Sequence, residues 1–298
     1  MKIGFIGLGI MGKPMAKNLR KAGYEVLIID KSKPSVKELK EAGAATAPTL
    51  VELARQSQVI ITMLPNSPEV EEVLLGEGGV IEGAAPGTIV IDMSSINPLA
   101  SQEINRRLQE KGIELLDAPV SGGEPKAIDG TLAVMVGGSE AAFQQCLPIM
   151  EAMGASVVRV GESGAGNTTK LANQILVALH TAALSEAITL AQKAGVDPYR
   201  VLEAIQGGSA GSAVMKVKGT KILEKDFKPG FRIDLHIKDL QNVLDTGHVV
   251  GAPLPLTAMA MEMLQMVKAD GYGEDDNCAV ARYYDKLATP PSTTTVSS

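Results

Sequence analysis

The residues Lys2-Ile3-Gly4-Phe5-Ile6 form a short apolar run of β character and lead without a break into Gly7-Leu8-Gly9-Ile10-Met11-Gly12. Residues 14–22 then carry helical spacing, Gly23 stops them, and residues 25–29 form a second β-like run ending at Asp30. Few folds accept that order of strand, spaced glycines, helix, strand and acid. Gly7 permits a tight turn out of the strand, Gly9 leaves room for a ligand to approach the backbone, and Gly12 lets the helix pack closely. The start of the helix offers unpaired N–H groups at the positive end of its dipole, which suits an anion such as a pyrophosphate. Three spaced glycines alone mean little in a chain with 31 of them. Here they follow a strand and open a helix, and Asp30 stands 18 residues beyond Gly12, which together make a dinucleotide-binding fingerprint. The expected cofactor contacts are Gly7, Leu8, Gly9, Ile10, Met11, Gly12 and Asp30. Asp30 can accept from both ribose hydroxyls and would repel a 2′-phosphate, which slightly favours NAD(H). Lys31 and Lys33 could pair with that phosphate, so NADP(H) stays open.

The alternation continues. Strand-like runs at 59–63, 89–93, 114–116, 132–136 and 157–160 are interleaved with helical ones at 34–42, 69–75, 99–111 and 139–153. This predicts an α/β Rossmann-type domain over 1–162, a doubly wound parallel sheet with helices on both faces. After Gly161 the pattern turns helical, with runs at 168–194, 198–206, 234–246, 256–269 and 276–288. A long interdomain helix leading into an all-α domain over 163–288 is expected, with 289–298 a disordered tail. Met259, Met261, Met263 and Met266 read as core.

Charge and composition argue against several function classes. The net charge is −6, and with no Trp, 4 Phe and 5 Tyr there is no basic excess and little aromatic surface for a nucleic acid. Cys146 and Cys278 lack CxxC partners and read as buried thiols in a reducing, cytoplasmic setting. The best membrane candidate, residues 175–184, is short and holds His180, so no run reads as long enough to span a bilayer. His180, His236 and His248 have no metal-ligand spacing, and no metal is expected.

Gly164-Ala165-Gly166 leads into the long helix, where Lys170, Asn173 and Gln174 share a face at offsets of three and four. Hydride addition to a carbonyl leaves an alkoxide that needs a proton, and a buried ammonium at a domain border could supply it. A solvated helix lysine is the competing reading. Asp117-Ala118-Pro119-Val120-Ser121-Gly122-Gly123 ends in a hydroxyl and bare N–H groups that suit a carboxylate, unless it is a plain loop. Lys238 and Asp239 offer a further cation and acid, or simply a solvated ion-pair face.

These segments, together with Gly230-Phe231-Arg232-Ile233-Asp234-Leu235-His236-Ile237-Lys238-Asp239, resemble the β-hydroxyacid dehydrogenases related to 3-hydroxyisobutyrate dehydrogenase, over about residues 1–288. The resemblance implies reversible hydride transfer between a nicotinamide cofactor and a small semialdehyde or hydroxyacid. It implies Lys170 and Asn173 as catalytic, and Ser121, Gly122, Gly123, Gln174, Phe231 and Asp239 as substrate-binding. Leu64, Pro65, Ser95 and Lys238 would join the cofactor contacts. Many members have Asn four residues after the lysine, where this chain has Gln174, with Asn173 one place earlier. The resemblance also implies a homodimer or homotetramer. A reading of another class is a non-catalytic dinucleotide-binding assembly module, against which Lys170 and the Ser121 loop count.

Overall fold

The computed structural model describes residues 1–30 and 32–288; Lys31 and the segment 289–298 lie outside the described residues. Two compact units are found, one from Met1 to Ala172 and one beginning at Asn173.

The first unit holds strands β1 (Lys2–Ile6), β2 (Glu25–Ile29), β3 (Ala45–Thr46), β4 (Val59–Thr62), β5 (Ile89–Asp92), β6 (Glu114–Asp117), β7 (Val120–Ser121), β8 (Leu132–Gly137) and β9 (Gly154–Gly161). Between them run α1 (Gly12–Lys21), α2 (Lys33–Glu41), α3 (Leu50–Arg55), α4 (Ser67–Leu75), α5 (Val80–Gly83), α6 (Pro98–Gln109), α7 (Gly123–Asp129) and α8 (Glu140–Glu151). The strands form one sheet in the order β3-β2-β1-β4-β5-β6-β8-β7, with β9 on β8. Strands β1 to β6 pair in parallel. The expected parallel sheet is found, with a departure at the far edge, where β8 runs antiparallel to β6 and β7. Apolar alternation reports that a segment is a strand and not which way it runs; here the connection through β7 and α7 turns the chain back.

Period-two alternation splits the core. Ile3, Phe5, Val59, Ile61, Ile89 and Ile91 pack with Met15, Leu19, Phe143 and Met150 of α1 and α8. Ile6, Ile60 and Val90 pack with Leu53, Val70, Leu74, Ile104 and Leu108 of α3, α4 and α6. Successive side chains of one strand thus feed opposite faces, each covered by helices, as a doubly wound sheet requires.

Helix α9 (Ala165–Lys193) crosses the unit boundary, and α10 (Pro198–Ile205), α11 (Ala213–Leu223), α12 (Ile233–Val250), α13 (Pro255–Val267) and α14 (Ala281–Ala288) follow it. The expected helix over 276–288 is instead a 3₁₀ turn, Asn277–Val280, capped by the Asp276 side chain, and then α14. Of the four methionines read as core, Met261 is buried, while Met259 and Met266 are 59% and 45% exposed; their spacing carries them around α13. The expectation that no segment has membrane-spanning length is also corrected. Helix α9 has 29 residues and an 18-residue window of mean hydropathy 1.4, enough by length and composition. Its polar Gln174, Thr181 and Ser185 are nevertheless buried within the protein.

Candidate active site

The order β2-β1-β4-β5 places a topological switch between β1 and β4, where an open α/β sheet receives ligands at the carboxyl ends of its strands. The fingerprint glycines stand there. Gly7 has φ +95°, and a Cβ on it would lie 2.3 Å from the Met63 carbonyl oxygen. A Cβ on Gly12 would lie 2.0 Å from the Gly7 carbonyl oxygen. Both are required by protein contacts, whereas a Cβ at Gly9 would meet nothing within 4 Å among the described residues. The absence of a side chain at Gly9 therefore answers to no neighbour among them, and the position fits the close approach of a pyrophosphate. No side chain caps α1 and its first turn holds no acid, so its N-terminus is left to an anion. Leu8 is buried, Ile10 is 59% exposed, and Met11 is partly buried against the core.

Asp30 accepts hydrogen bonds from the Leu8 N–H on one carboxylate oxygen and from the Ser32 N–H on the other, tying the glycine loop to the end of β2. Each oxygen keeps a lone pair for a ribose hydroxyl. Asp30 lines a groove with Lys33, Val36 and Lys37, so acid and ammonium groups border the same space. Lys31 lies outside the described residues.

Leu64 and Pro65 follow β4, and the Leu64 N–H donates to the Ser94 hydroxyl at 2.9 Å. The Ser94 N–H and the Thr62 hydroxyl both donate to Oδ1 of Asp92, whose Oδ2 has no hydrogen-bond partner among the described residues. Burial pushes the Asp92 carboxyl up to about 6. Ser95 is half-buried in the following loop.

Ser121 ends β7 opposite Ala133 of β8, and Gly122 and Gly123 follow with φ +140° and +68°. Asp117, at the end of β6, is fully buried and accepts the Gly164 and Asn167 N–H groups at 2.8 Å each. Burial pushes its carboxyl up to about 6 against the opposing pull of those bonds. Lys170, one turn further along α9, is 8% exposed, so the solvated-lysine reading does not apply.

In the second unit the remaining residues gather around the buried Gln174, His236 and Asp239. Asn173 Nδ2 donates to Gln174 Oε1 at 2.8 Å, and Gln174 Nε2 donates to Asp239 Oδ2 at 2.6 Å. Lys238 Nζ stands 2.7 Å from Asp239 Oδ1. Gln174 is 3% exposed while Asn173 is only half-buried, leaving Asn173 the more accessible amide. His236 Nε2 lies 3.3 Å from the Gln174 carbonyl oxygen, and its Nδ1 lies 3.1 Å from Asn277 Nδ2. A carbonyl only accepts, so Nε2 carries the hydrogen and Nδ1 accepts from Asn277. Phe231 packs on this ring with centroids 5.2 Å apart. Its backbone N–H and that of Gly230 donate to Asp276 Oδ2, and Lys218 Nζ holds Oδ1 at 2.6 Å.

Sequence reasoning missed Asn167, Asp92 and the Lys218–Asp276 pair. Only Asn167 left a signal, standing three residues before Lys170 and so on its helical face. Cys146 and Cys278 are both fully buried, as expected for inert thiols.

Comparison with known proteins agrees with this geometry. Residues 2–161 match the family profile described as the NAD binding domain of 6-phosphogluconate dehydrogenase, and residues 164–284 the one described as NAD-binding of NADP-dependent 3-hydroxyisobutyrate dehydrogenase. The chain is 43% identical over 288 residues to the 2-hydroxy-3-oxopropionate reductase of Escherichia coli K12, covering 97% of this chain and 98% of that protein. It is 40% identical over 288 residues to the 2-(hydroxymethyl)glutarate dehydrogenase of Eubacterium barkeri, covering 96% of each. A structure of Mycobacterium tuberculosis 3-hydroxyisobutyrate dehydrogenase with L-serine superposes with a TM-score of 0.89 at 32% identity, over 95% of this chain and 98% of that one. With the glycine cradle at the switch point and profile matches across both units, the chain belongs to the β-hydroxyacid dehydrogenase family and is an NAD(P)-dependent oxidoreductase acting on CH–OH groups.

Proposed function

We propose that the protein reduces tartronate semialdehyde (2-hydroxy-3-oxopropanoate) to D-glycerate, reversibly, with NADH or NADPH. The observation that carries this reading is the 43% identity, over nearly the full length of both chains, to the E. coli 2-hydroxy-3-oxopropionate reductase. A bound reduced nicotinamide would supply hydride to the aldehyde carbon. Gly7, Gly9 and Gly12 would admit the pyrophosphate, Asp30 the ribose, and Leu64, Pro65 and Ser95 would border the nicotinamide. The Ser121 hydroxyl and the Gly122 and Gly123 N–H groups would hold the substrate carboxylate, which fixes the aldehyde relative to Lys170 and makes the step effectively intramolecular. Lys170 Nζ would donate a proton to the carbonyl oxygen as negative charge grows there, and would remove it in the reverse direction. Asn173 would act with Lys170 as a catalytic residue, with Gln174, Phe231 and Asp239 as further substrate contacts and Lys238 as a further cofactor contact. Exposed apolar side chains of the second unit, among them Leu190, Val249 and Leu256, favour a homodimer or homotetramer. Two buried free thiols fit a reducing cytoplasm.

A second reading is a dehydrogenase for 3-hydroxyisobutyrate, favoured by the TM-score of 0.89 to that enzyme; glyoxylate and succinic semialdehyde are the other small acids to compare. The test is a spectrophotometric panel with tartronate, methylmalonate and succinic semialdehydes and glyoxylate, each with NADH and NADPH. The highest kcat/KM is expected with tartronate semialdehyde. A tenfold preference for any other acid, or absence of turnover with tartronate semialdehyde, would overturn the assignment.

A further inference from the structure

We infer that Asn167 is a positioning residue for this reaction: held by Asp117, it fixes the first turn of α9, and with it Lys170, to the strand leading into Ser121 and the loop carrying Ser95. The inference rests on the reading of Lys170 as proton donor.

A helix start leaves four backbone N–H groups without partners. At α9 two are satisfied from far along the chain, because the Gly164 and Asn167 N–H groups donate to the two oxygens of Asp117, 47 and 50 residues earlier. The carboxylate stands at the positive end of the helix dipole and closes it against the sheet. Gly166 brings the two backbones together, since a Cβ there would lie 2.2 Å from the Asp117 carbonyl oxygen and 2.5 Å from that of Met135. Four residues beyond Asp117 the chain reaches Ser121, whose strand is pinned to β8.

The Asn167 side chain makes the second attachment. Its Oδ1 accepts the Ile96 N–H at 3.0 Å, next to Ser95, and its Nδ2 donates to the Ser101 hydroxyl on α6 at 3.0 Å. Asn167 is fully buried, and both ends of its amide are used. Lys170 follows by three residues, on the same face and about 4.5 Å along the axis. Between them stands less than one turn of helix, too short to absorb a shift, so movement of Asn167 is passed on to the amine. A misplacement of about 1 Å in a reacting group costs about 10²-fold in rate.

The experiment measures kcat, KM and NADH affinity for wild type, Asn167→Ala, Asn167→Asp, Ser101→Ala and Lys170→Ala, using NADH and tartronate semialdehyde between pH 6 and 8. Asn167→Ala is expected to lower kcat by about 10- to 100-fold, with NADH affinity held within about twofold because the glycine cradle is untouched. Asn167→Asp separates positioning from general damage. Protonated, its carboxyl can donate to Ser101 and accept from Ile96 as the amide does; ionised, it cannot donate and sets a charge beside Asp117. Its kcat relative to wild type should rise as pH falls from 8 to 6, while the ratio for Asn167→Ala stays flat. Taking the ratio removes the pH effects common to all the enzymes, and Asn167→Ala, which adds no charge beside Asp117, supplies the comparison. Should Asn167→Ala not fold, Ser101→Ala removes a single bond of the same network and should lower kcat several-fold. The inference is overturned if Lys170→Ala is inactive while the Asn167 and Ser101 variants keep wild-type kcat, or if the Asn167→Asp ratio does not change with pH. Normal turnover by Lys170→Ala would instead remove the proton-donor reading, and this inference with it.

Discussion

Replacing Asp276 by Asn tests how the second unit holds the Phe231 segment. Asp276 has no exposed surface, and its carboxylate meets Lys218 Nζ at 2.6 Å, the Gly230 and Phe231 N–H groups at 2.9 and 3.1 Å, and the Cys278 N–H at 3.1 Å. Burial alone would raise this carboxyl, but Lys218 and the N–H donors outweigh it and bring it from 3.8 down to about 2. A shift of that size corresponds to roughly 2 to 3 kcal/mol of stability at neutral pH. Leaving Lys218 without its counter-charge in a site where it is 13% exposed points the same way, since breaking a buried pair costs about 3 to 5 kcal/mol. Asp276→Asn should therefore lose about 2 to 5 kcal/mol in urea unfolding at pH 7.5, followed by far-UV circular dichroism. The sign with pH is determined. The folded-state value lies below the unfolded one, so the stabilisation is complete above the unfolded value and drains away as pH falls through the folded one. At pH 3 part of that stabilisation, on the order of 1 kcal/mol, should be gone, narrowing the gap between wild type and variant. A loss below about 0.5 kcal/mol at pH 7.5, or a gap that does not change down to pH 3, would refute the reasoning.

Lys170→Ala should lower kcat by about 10² to 10⁴-fold while NADH affinity, measured by fluorescence titration, stays near wild type. Gly9→Ala and Gly12→Ala should part company: Gly9→Ala should keep the wild-type melting temperature and weaken NADH binding, whereas Gly12→Ala, whose Cβ would lie 2.0 Å from the Gly7 carbonyl oxygen, should lower both. Burial pushes the Cys146 thiol up to about 12 and raises that of Cys278 as well. Neither should react with a thiol-specific disulfide reagent at pH 8 in the native protein, and both should react after unfolding; a fast-reacting thiol in the native state would contradict their burial.

The glycine fingerprint and the strands about it are legible because each depends on neighbours within a turn or two. Gly7, Gly12 and Asp30 announce themselves through local geometry, and strands β1, β4 and β5 through unbroken apolar runs. Other features were out of reach for equally local reasons. Helix α11 carries Gly219 in its middle, where a Cβ would lie 2.8 Å from Leu202 Cδ1, so tertiary packing requires a residue that weakens the helical signal. Strands β3 and β7 have two residues each, too few for any periodicity. Helix α9 (Ala165–Lys193), by contrast, matches the long run expected over 168–194, because its helical spacing continues unbroken past His180.

Local chemistry in the chain therefore determined the type of most elements and the place of the glycine cradle, and the family resemblance pointed to Lys170 as the lysine proposed for proton transfer. Tertiary structure alone decided the reversed direction of β8, the burial of Lys170 and the partners of the polar groups that hold the site in shape. Asp117 meets α9 across 47 to 50 residues, Asn167 meets Ser101 across 66, and Asp276 meets Lys218 across 58. A carboxylate or amide in a sequence has the same bonding capacity whether it ends in water or in a core. Which of these it does depends on groups that only chain closure brings within 3 Å.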